Sequence, residues 1–581
     1  MIVVSSEKIA QYTQAGWWGE RTLGELFIDT ALRQPDLLAV ADPPNRPAIM
    51  GDAAKRWTWG QLLAQVGQYC AFLAQQGVRK DDIIVVQMPN CVEMHAIYLA
   101  CAINGVVVSP VPMQYRAHEI SHVLETTQAR VAITAARVGK NSPAQQWAEQ
   151  ACLSPIIDRV WVYGLHAADA GVEAPAAGAL QAIEPALAQS APWTAAQLRA
   201  HMQAIALTAN DVLTICWTSG TEAMPKGVPR SHNEWLIVGL SVIDAGGLQP
   251  GAQLLIPYPF VNMAGVSTSL AAWLMVGGGL HHHHPFDIDV FIEQLVNEPV
   301  HYTVAAPAVL NMLLKDAHKL QGVDFSKLKR IGSGGGPVAS WMVEEFAQQF
   351  GIEIVNYFGS NEGAALASTP QDMPDRVQRA HYFPRFGVAG FEWAQTNSKK
   401  VRTRLVDLDS GEDITEPGRV GELRFIGPTI FSGYFNAPEL SARAFDAQGY
   451  YRTGDLFEIA GEQQQFYRFA GRHKDIVIRG GMNISSEEIE GLLLGHPKIR
   501  EVAVIGWPDE VLGERVCAVV VAAPDADLEL PELVAFLREK EKIAAFKLPE
   551  KLIVVPTLPR NPLGKVLKRE LRLQFVQEEV A

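Results

Sequence analysis

Apolar positions along the chain recur at two spacings. From Thr22 to Gln34 they return every three to four residues, placing Leu23, Leu26, Phe27 and Leu32 on one face, which predicts an amphipathic helix. Trp59–Gln76 repeats that pattern. Asp82–Met88 and Gly105–Pro110 are instead short β-branched runs of the kind buried in a parallel sheet, and Val92–Asn104 between them predicts a helix. Strand, helix and strand in repeated order predict α/β architecture with parallel sheets. An Ala-rich stretch from about Leu165 to Ala200, with Pro175, Pro185 and Pro192, breaks the pattern and predicts a surface excursion or loose helices.

Arg424 to Phe469 is rich in Gly, aromatic and β-branched residues and predicts β-structure with turns. Beyond Gly471 the pattern is mixed again: helix at Glu487–Leu494, strands at Val502–Gly506 and Val516–Val521, helix at Pro531–Lys540, strand at Lys551–Val555. That tail can bury a small core of its own. A domain boundary is therefore expected near Lys474, dividing 1–473 from 474–581.

Composition narrows the class. Of 581 residues, 48% are hydrophobic and 19% charged, the balance of a folded globular chain. Lys and Arg total 49 against 63 Asp and Glu, a net charge of −14, so no basic excess exists for nucleic acid or an anionic membrane. Cys70, Cys91, Cys101, Cys152, Cys216 and Cys517 stand far apart without a C-x-x-C pair, which argues against zinc ribbons and thioredoxin-type chemistry and suits a reducing compartment. Met1–Lys8 lacks a signal-peptide pattern, and no apolar run approaches about 20 residues. The expectation is a soluble, cytoplasmic, multi-domain protein.

Candidate chemistry lies in loops. Thr218-Ser219-Gly220-Thr221-Glu222-Ala223-Met224-Pro225-Lys226-Gly227 follows the apolar run Val212–Trp217. Hydroxyls, glycine and lysine in one short loop can cradle phosphate oxygens, although the Walker spacing is absent. Phe358-Gly359-Ser360-Asn361-Glu362-Gly363 places an acid after an amide in a glycine-flanked loop; it reads as a solvated turn or as a Mg²⁺ ligand beside phosphates. Tyr451-Arg452-Thr453-Gly454-Asp455 ends in an acid suited to a ribose diol. Gly471-Arg472-His473-Lys474-Asp475 is a dense charged turn, and Pro562-Leu563-Gly564-Lys565 carries a lysine near the C-terminus. Each alone is an ordinary polar turn.

Together and in this order the five motifs resemble the AMP-forming acyl and aryl acid ligases, the adenylate-forming superfamily. The resemblance runs from Trp17-Trp18 and Leu23-Gly24-Glu25-Leu26 to Lys565, and the opening segment looks most like stand-alone aryl-acid–AMP ligases and related CoA ligases. It implies a large N-terminal domain of two α/β subdomains plus a β-rich one, followed by a small, mobile α+β domain. By resemblance, Thr218, Ser219, Gly220, Thr221 and Lys226 hold the ATP phosphates. Gly334, Gly335, Gly336, Phe358 and Gly359 form the adenine site, Asn361 meets the α-phosphate, and Glu362 holds Mg²⁺. Asp455 takes the ribose, Arg472 makes a second nucleotide contact, Lys565 is the catalytic lysine, and Lys474 is the hinge. Glu222-Ala223 stand where many members carry Thr-Gly.

The implied reaction joins a carboxylic acid to AMP and then to a thiol. The cofactors are ATP, Mg²⁺ and coenzyme A as co-substrate. No carrier domain follows Lys565, so the thiol is CoA or a separate phosphopantetheinyl carrier protein, and the protein is a monomer or homodimer. A silent nucleotide-binding paralogue is the alternative of another class, opposed by the presence of Lys226, Glu362, Asp455 and Lys565. The acid pocket corresponds to Pro259–Gly265, with Asn262 where the family often has His; its amide reads either as a substrate contact or as a helix cap. Met263, Val266, Pro307 and Gly335 give an apolar, roomy lining that favours an aromatic, alicyclic or fatty acid. His281-His282-His283-His284 falls where a strand is expected; side chains there alternate between faces, so the four do not converge on one ion.

Overall fold

The computed structural model describes residues 1–165, 179–218, 224–336, 338–472, 475–479, 482–509, 512–524, 526–541, 543, 545–560 and 565–580. Among them the chain forms four sheets. The first has seven strands in the order Leu180–Ala182, Arg159–Tyr163, Val131–Ala135, Ile83–Gln87, Val107–Pro110, Val212–Thr218 and Lys226–Ser231. Its neighbours are parallel except the last pair, an antiparallel return that joins Thr218 to Lys226.

The second sheet has eight strands, ordered Ala365–Ser368, Glu353–Gly359, Arg330–Gly334, Tyr302–Val304, Leu254–Ile256, Leu280–His282, Leu38–Ala41 and Arg56–Thr58. Its inner pairs are parallel and its two edges antiparallel. The third is an antiparallel sheet of six strands drawn from 382–472, which matches the expected β-rich stretch. The fourth takes every strand from after Asp475: Ile476–Arg479, Met482–Ser485, Ile499–Asp509, Gly513–Ala522 and Lys551–Val554.

The two parallel sheets share one apolar core. Helix Val92–Asn104 is buried along its whole length and has no polar face, as a helix sandwiched between layers requires. Around it pack Ile84 and Val86 from the first sheet, Leu254, Ile256 and Leu280 from the second, and the helix Trp59–Gln75. Two of the surrounding helices start with reciprocal capping boxes, Thr22 with Glu25 and Thr58 with Gln61.

Some expectations need correction. Leu32 does not face the core; it is 52% exposed, and Ile28 and Ala31 take that face with Leu23 and Phe27. Of the two readings of the Ala-rich region, its described part forms helices beyond Ala182. Ile183–Gln189 and Ala195–Ala204 are helices whose Ile183 and Leu198 are fully buried, because their few large apolar residues sit on one side; residues 166–178 lie outside the described set. The helix expected at Pro531–Lys540 changes at Phe536 from α to a π-helical turn. No helix among the described residues is long and apolar enough to cross a membrane.

Candidate active site

The phosphate-type loop spans an antiparallel turn. Thr218 ends one strand and Lys226 opens the next, opposite it in register. Ser219, Gly220 and Thr221 lie outside the described residues. The Lys226 ammonium lies 5.3 Å from the ring centre of Tyr434, a cation–π distance. The Tyr434 hydroxyl donates to Glu362 Oε1 at 2.9 Å. One tyrosine therefore separates the lysine of one sheet from the carboxylate of another. Glu362 is 7% exposed, and its own carbonyl accepts the Phe431 amide at 2.9 Å, so its backbone is fixed as well.

Asn361 joins this loop to two others. Its Nδ2 donates to the Trp217 carbonyl at 3.2 Å, and its Oδ1 accepts the Met263 amide at 2.7 Å. The strand leading into the phosphate-type loop and the candidate acid segment thus meet on one side chain. Asp455, 3% exposed, lies in strand Tyr451–Ala460, where its amide donates to Thr453 Oγ1 at 3.0 Å. The preceding Gly454 has φ +69° and gives its amide to Glu422 Oε1 at 3.0 Å. Burial, then the charge of Glu362, hold the Tyr451 hydroxyl well above its usual pKa, with Asp455 adding to the effect. Glu362, Tyr434 and Asp455 therefore share one electrostatic neighbourhood.

Arg472 pairs through its backbone with Asp455, while its side chain lies outside the description. The Phe358 ring is half-buried and meets Phe457 edge-on at 5.0 Å, with Phe383, Phe425 and Phe469 nearby. Gly359 ends the same strand. Strand Arg330–Gly334 ends in three glycines. The Gly334 carbonyl accepts the Tyr258 hydroxyl at 3.3 Å, Gly335 has φ +81°, and a side chain on Gly336 would start 3.9 Å from Pro307.

The acid segment is held from beneath. Asn90 Nδ2 donates to the Tyr258 carbonyl and its Oδ1 accepts the Phe260 amide, both at 2.8 Å. The Tyr98 hydroxyl donates to the Phe260 carbonyl at 2.7 Å. His95 stacks on Phe260 at 4.7 Å. Asn262 caps the short helix Met263–Val266 through the Gly265 amide at 3.1 Å. Met263 is half-buried, whereas Val266 is packed into the core between the sheets.

The four histidines are all buried, and His281, His282 and His283 meet different partners. His281 meets Gln253 and Glu298. His282 Nε2 lies 3.2 Å from His95 Nδ1, whose other nitrogen donates to the Ser269 carbonyl at 2.9 Å. His283 donates from Nδ1 to Gln294 and accepts the Asp287 amide on Nε2. Burial lowers His281 and His284 to about 4 and His282 further still. No group of three or more potential ligands gathers among the described residues.

Lys565 is exposed, on the connection between Arg560 and the helix Lys568–Val580. Lys474 and Pro562–Gly564 lie outside the described residues. Sequence reasoning missed Arg230, Tyr434 and Asn90. An arginine in the apolar strand Gly227-Val228-Pro229-Arg230 was the available signal for the first; Tyr434 and Asn90 act through contacts distant in sequence.

The chain matches the family described as AMP-binding enzyme over residues 38–435, and that family's C-terminal domain over 488–565. It belongs to the AMP-binding enzymes. It is 30% identical over 579 residues to a medium-chain fatty-acid–CoA ligase of Escherichia coli K12, covering 99% of this chain and 94% of that one. It is 29% identical to the 2-hydroxy-7-methoxy-5-methyl-1-naphthoate–CoA ligase of Streptomyces carzinostaticus, covering 97% and 95%. Among solved structures, the anthranilate CoA ligase AuaEII in complex with anthranoyl-AMP superposes with a TM-score of 0.80 at 20% identity, covering 97% and 98%. That likeness shows the fold: a large N-terminal α/β domain and a small C-terminal one.

Proposed function

We propose that the protein is an ATP-dependent, AMP-forming acid–CoA ligase acting on a hydrophobic aromatic, alicyclic or fatty acid. The observation that carries this reading is the junction at Asn361–Glu362. One side chain there bridges the strand before the phosphate-type loop and the acid segment, while the next reaches Lys226 through Tyr434. The AMP-binding family and the CoA ligases among its relatives support the same reading.

The acid's carboxylate oxygen attacks the α-phosphorus of ATP, the bond from α-phosphorus to the β-bridging oxygen breaks, and pyrophosphate leaves. Negative charge builds on the phosphoryl oxygens, so Lys226 and Lys565 supply positive charge where it develops. The phosphate-type loop through Thr218 to Thr221 and the Asn361 amide orient the phosphates. Gly334–Gly336 and Phe358 border the adenine, and Asp455 and Arg472 hold the ribose side. The remaining oxygen of Glu362, a buried carboxylate with one oxygen on Tyr434, fits a Mg²⁺ ligand. Mg²⁺, when bound, supplies charge neutralisation to the phosphates.

In the second step a CoA thiolate attacks the acyl carbon and AMP leaves. We place the hinge at Lys474, so that residues 474–581 carry Lys565 in for the first step and away for the second. Six cysteines, none of them in a disulfide, fit a reducing, cytoplasmic setting. Incubation with MgATP, CoA and a pooled panel of aromatic, alicyclic and fatty acids, read by mass spectrometry, tests the proposal. A new acyl-CoA with matching AMP is expected. Acyl-AMP without thioester would replace CoA by a carrier protein as acceptor, and ATP binding without turnover of any acid would favour a silent paralogue.

A further inference from the structure

Three subdomains meet on one buried guanidinium. Arg230 lies in strand Lys226–Ser231 of the first sheet and is 0% exposed. Its Nε and Nη2 both donate to the Asn361 carbonyl at 2.9 Å, in the loop that follows a strand of the second sheet. Its Nη1 donates to the Thr429 carbonyl at 3.0 Å, just after a strand of the third sheet. Trp235 closes one face of the group at 5.6 Å. Strand side chains alternate, so Lys226, Val228 and Arg230 share a face. That face meets the third sheet's 429–434 segment twice, at Tyr434 through Lys226 and at Thr429 through Arg230.

The loop is shaped to accept this grip. Gly363 has φ +96°, and a side chain there would collide with the Thr429 carbonyl and with Arg230. The charge itself needs an explanation. Among the described residues no carboxylate reaches ion-pair distance of Arg230, and a buried cation paired only with carbonyls is costly. A neutral donor could bind the same oxygens at a smaller desolvation cost. A planar fork, however, fixes two acceptors from different subdomains in one plane, and its charge lies next to the turn that carries Glu362.

We propose that Arg230 is a positioning residue for the Asn361–Glu362 turn, holding the Glu362 carboxylate and the Asn361 amide in place for the nucleotide and its metal ion. It acts through that turn and does not itself touch the reacting atoms. The proposal rests on the ligase reading above. Burial lowers the pKa of Arg230, and Glu234 first, then Cys216 and Glu362, oppose that fall.

The test compares Arg230→Lys, which keeps the charge and loses the fork, with the parent protein in two independent readouts. The first is amide hydrogen exchange in the protein without added ligands, which requires no activity. Faster exchange confined to 360–364 and 428–432 is expected. The second is AMP formation with varied Mg²⁺. About a tenfold lower kcat and a several-fold higher half-saturating Mg²⁺ are expected, with KM for the acid within about twofold. Glu362→Gln combined with Arg230→Lys should cost less than the sum of the two alone. Unchanged exchange at both segments would overturn the positioning role, and so would unchanged kcat and Mg²⁺ demand in an active protein. A parent that forms no AMP, with exchange still accelerated in the variant, would sink the ligase reading and leave the positioning of the turn standing. If Arg230→Lys does not fold, Gly363→Ala presses on the same two contacts from the loop side and should give the same pattern.

Discussion

The acid segment and the lysine-bearing tail are held in opposite ways. Tyr258 to Met263 is fastened by Asn90, Tyr98 and the stacked His95, which sit on the helix between the two parallel sheets or just before it, and by Asn361 from the turn after strand Glu353–Gly359. Lys565 lies instead on an exposed connection of the C-terminal part, three positions before Lys568, which is bonded there to Ser486 and Glu490. Under the proposed reaction, a surface that discriminates acids needs fixed geometry, whereas a lysine that serves one of two half-reactions must be removable. The contrast fits a reaction in which the substrate site stays still and the chemistry is delivered to it.

The largest test of that contrast is Lys565→Ala. It is expected to lower adenylation about 10²–10³-fold and to spare thioester formation from supplied acyl-AMP, as read by pyrophosphate exchange and by CoA consumption. Equal loss in both half-reactions would place the lysine in a fixed site. Next comes pH. Burial holds His95, His281 and His284 at about 4, so the unfolded chain takes up protons between its ordinary value near 6.5 and that level while the folded one does not. Stability must therefore fall as pH drops through that window, by about 2 kcal/mol for each histidine by pH 5. Urea unfolding at pH 7.5 and 5 should show the loss in the N-terminal domain, and a midpoint independent of pH would contradict it.

Asn90→Ala strips a donor from the Tyr258 carbonyl and an acceptor from the Phe260 amide. We expect about 1–3 kcal/mol of lost stability, with KM for the acid rising more than KM for ATP. Equal changes in both would mean that the segment is not specific to the acid. The smallest effect separates the two roles left open for Asn262. Asn262→Ala should cost about 1 kcal/mol as a lost cap, whereas Asn262→Asp keeps the cap and should leave KM for the acid within about twofold. A large rise in KM with the aspartate would show that the amide reads the substrate.

Local order was readable in the sequence wherever short-range physics decides it. The capping pairs Thr22 with Glu25 and Thr58 with Gln61, and the run Val92–Asn104, apolar except at Glu93, His95 and Asn104, mark helices without help from the rest of the fold. Leu32 was misread because the helical period admits two adjacent stripes, and the neighbouring elements choose between them. The loop motifs pointed to the family, but not to what holds them. Arg230 meets Asn361 and Thr429 across 131 and 199 positions, so no local pattern announces the grip. The histidine run was only partly legible: the strand expected there stops at His282, and the separate partners of His281, His282 and His283 come from distant segments.

The central proposal is the route through acyl-AMP, and isotope transfer tests it most directly. An accepted acid labelled with ¹⁸O in both carboxylate oxygens is turned over with MgATP and CoA, and the products are weighed. Attack of the carboxylate on the α-phosphorus predicts one ¹⁸O in AMP and one retained in the acyl-CoA. AMP without label, or label in inorganic phosphate beside ADP, would contradict it.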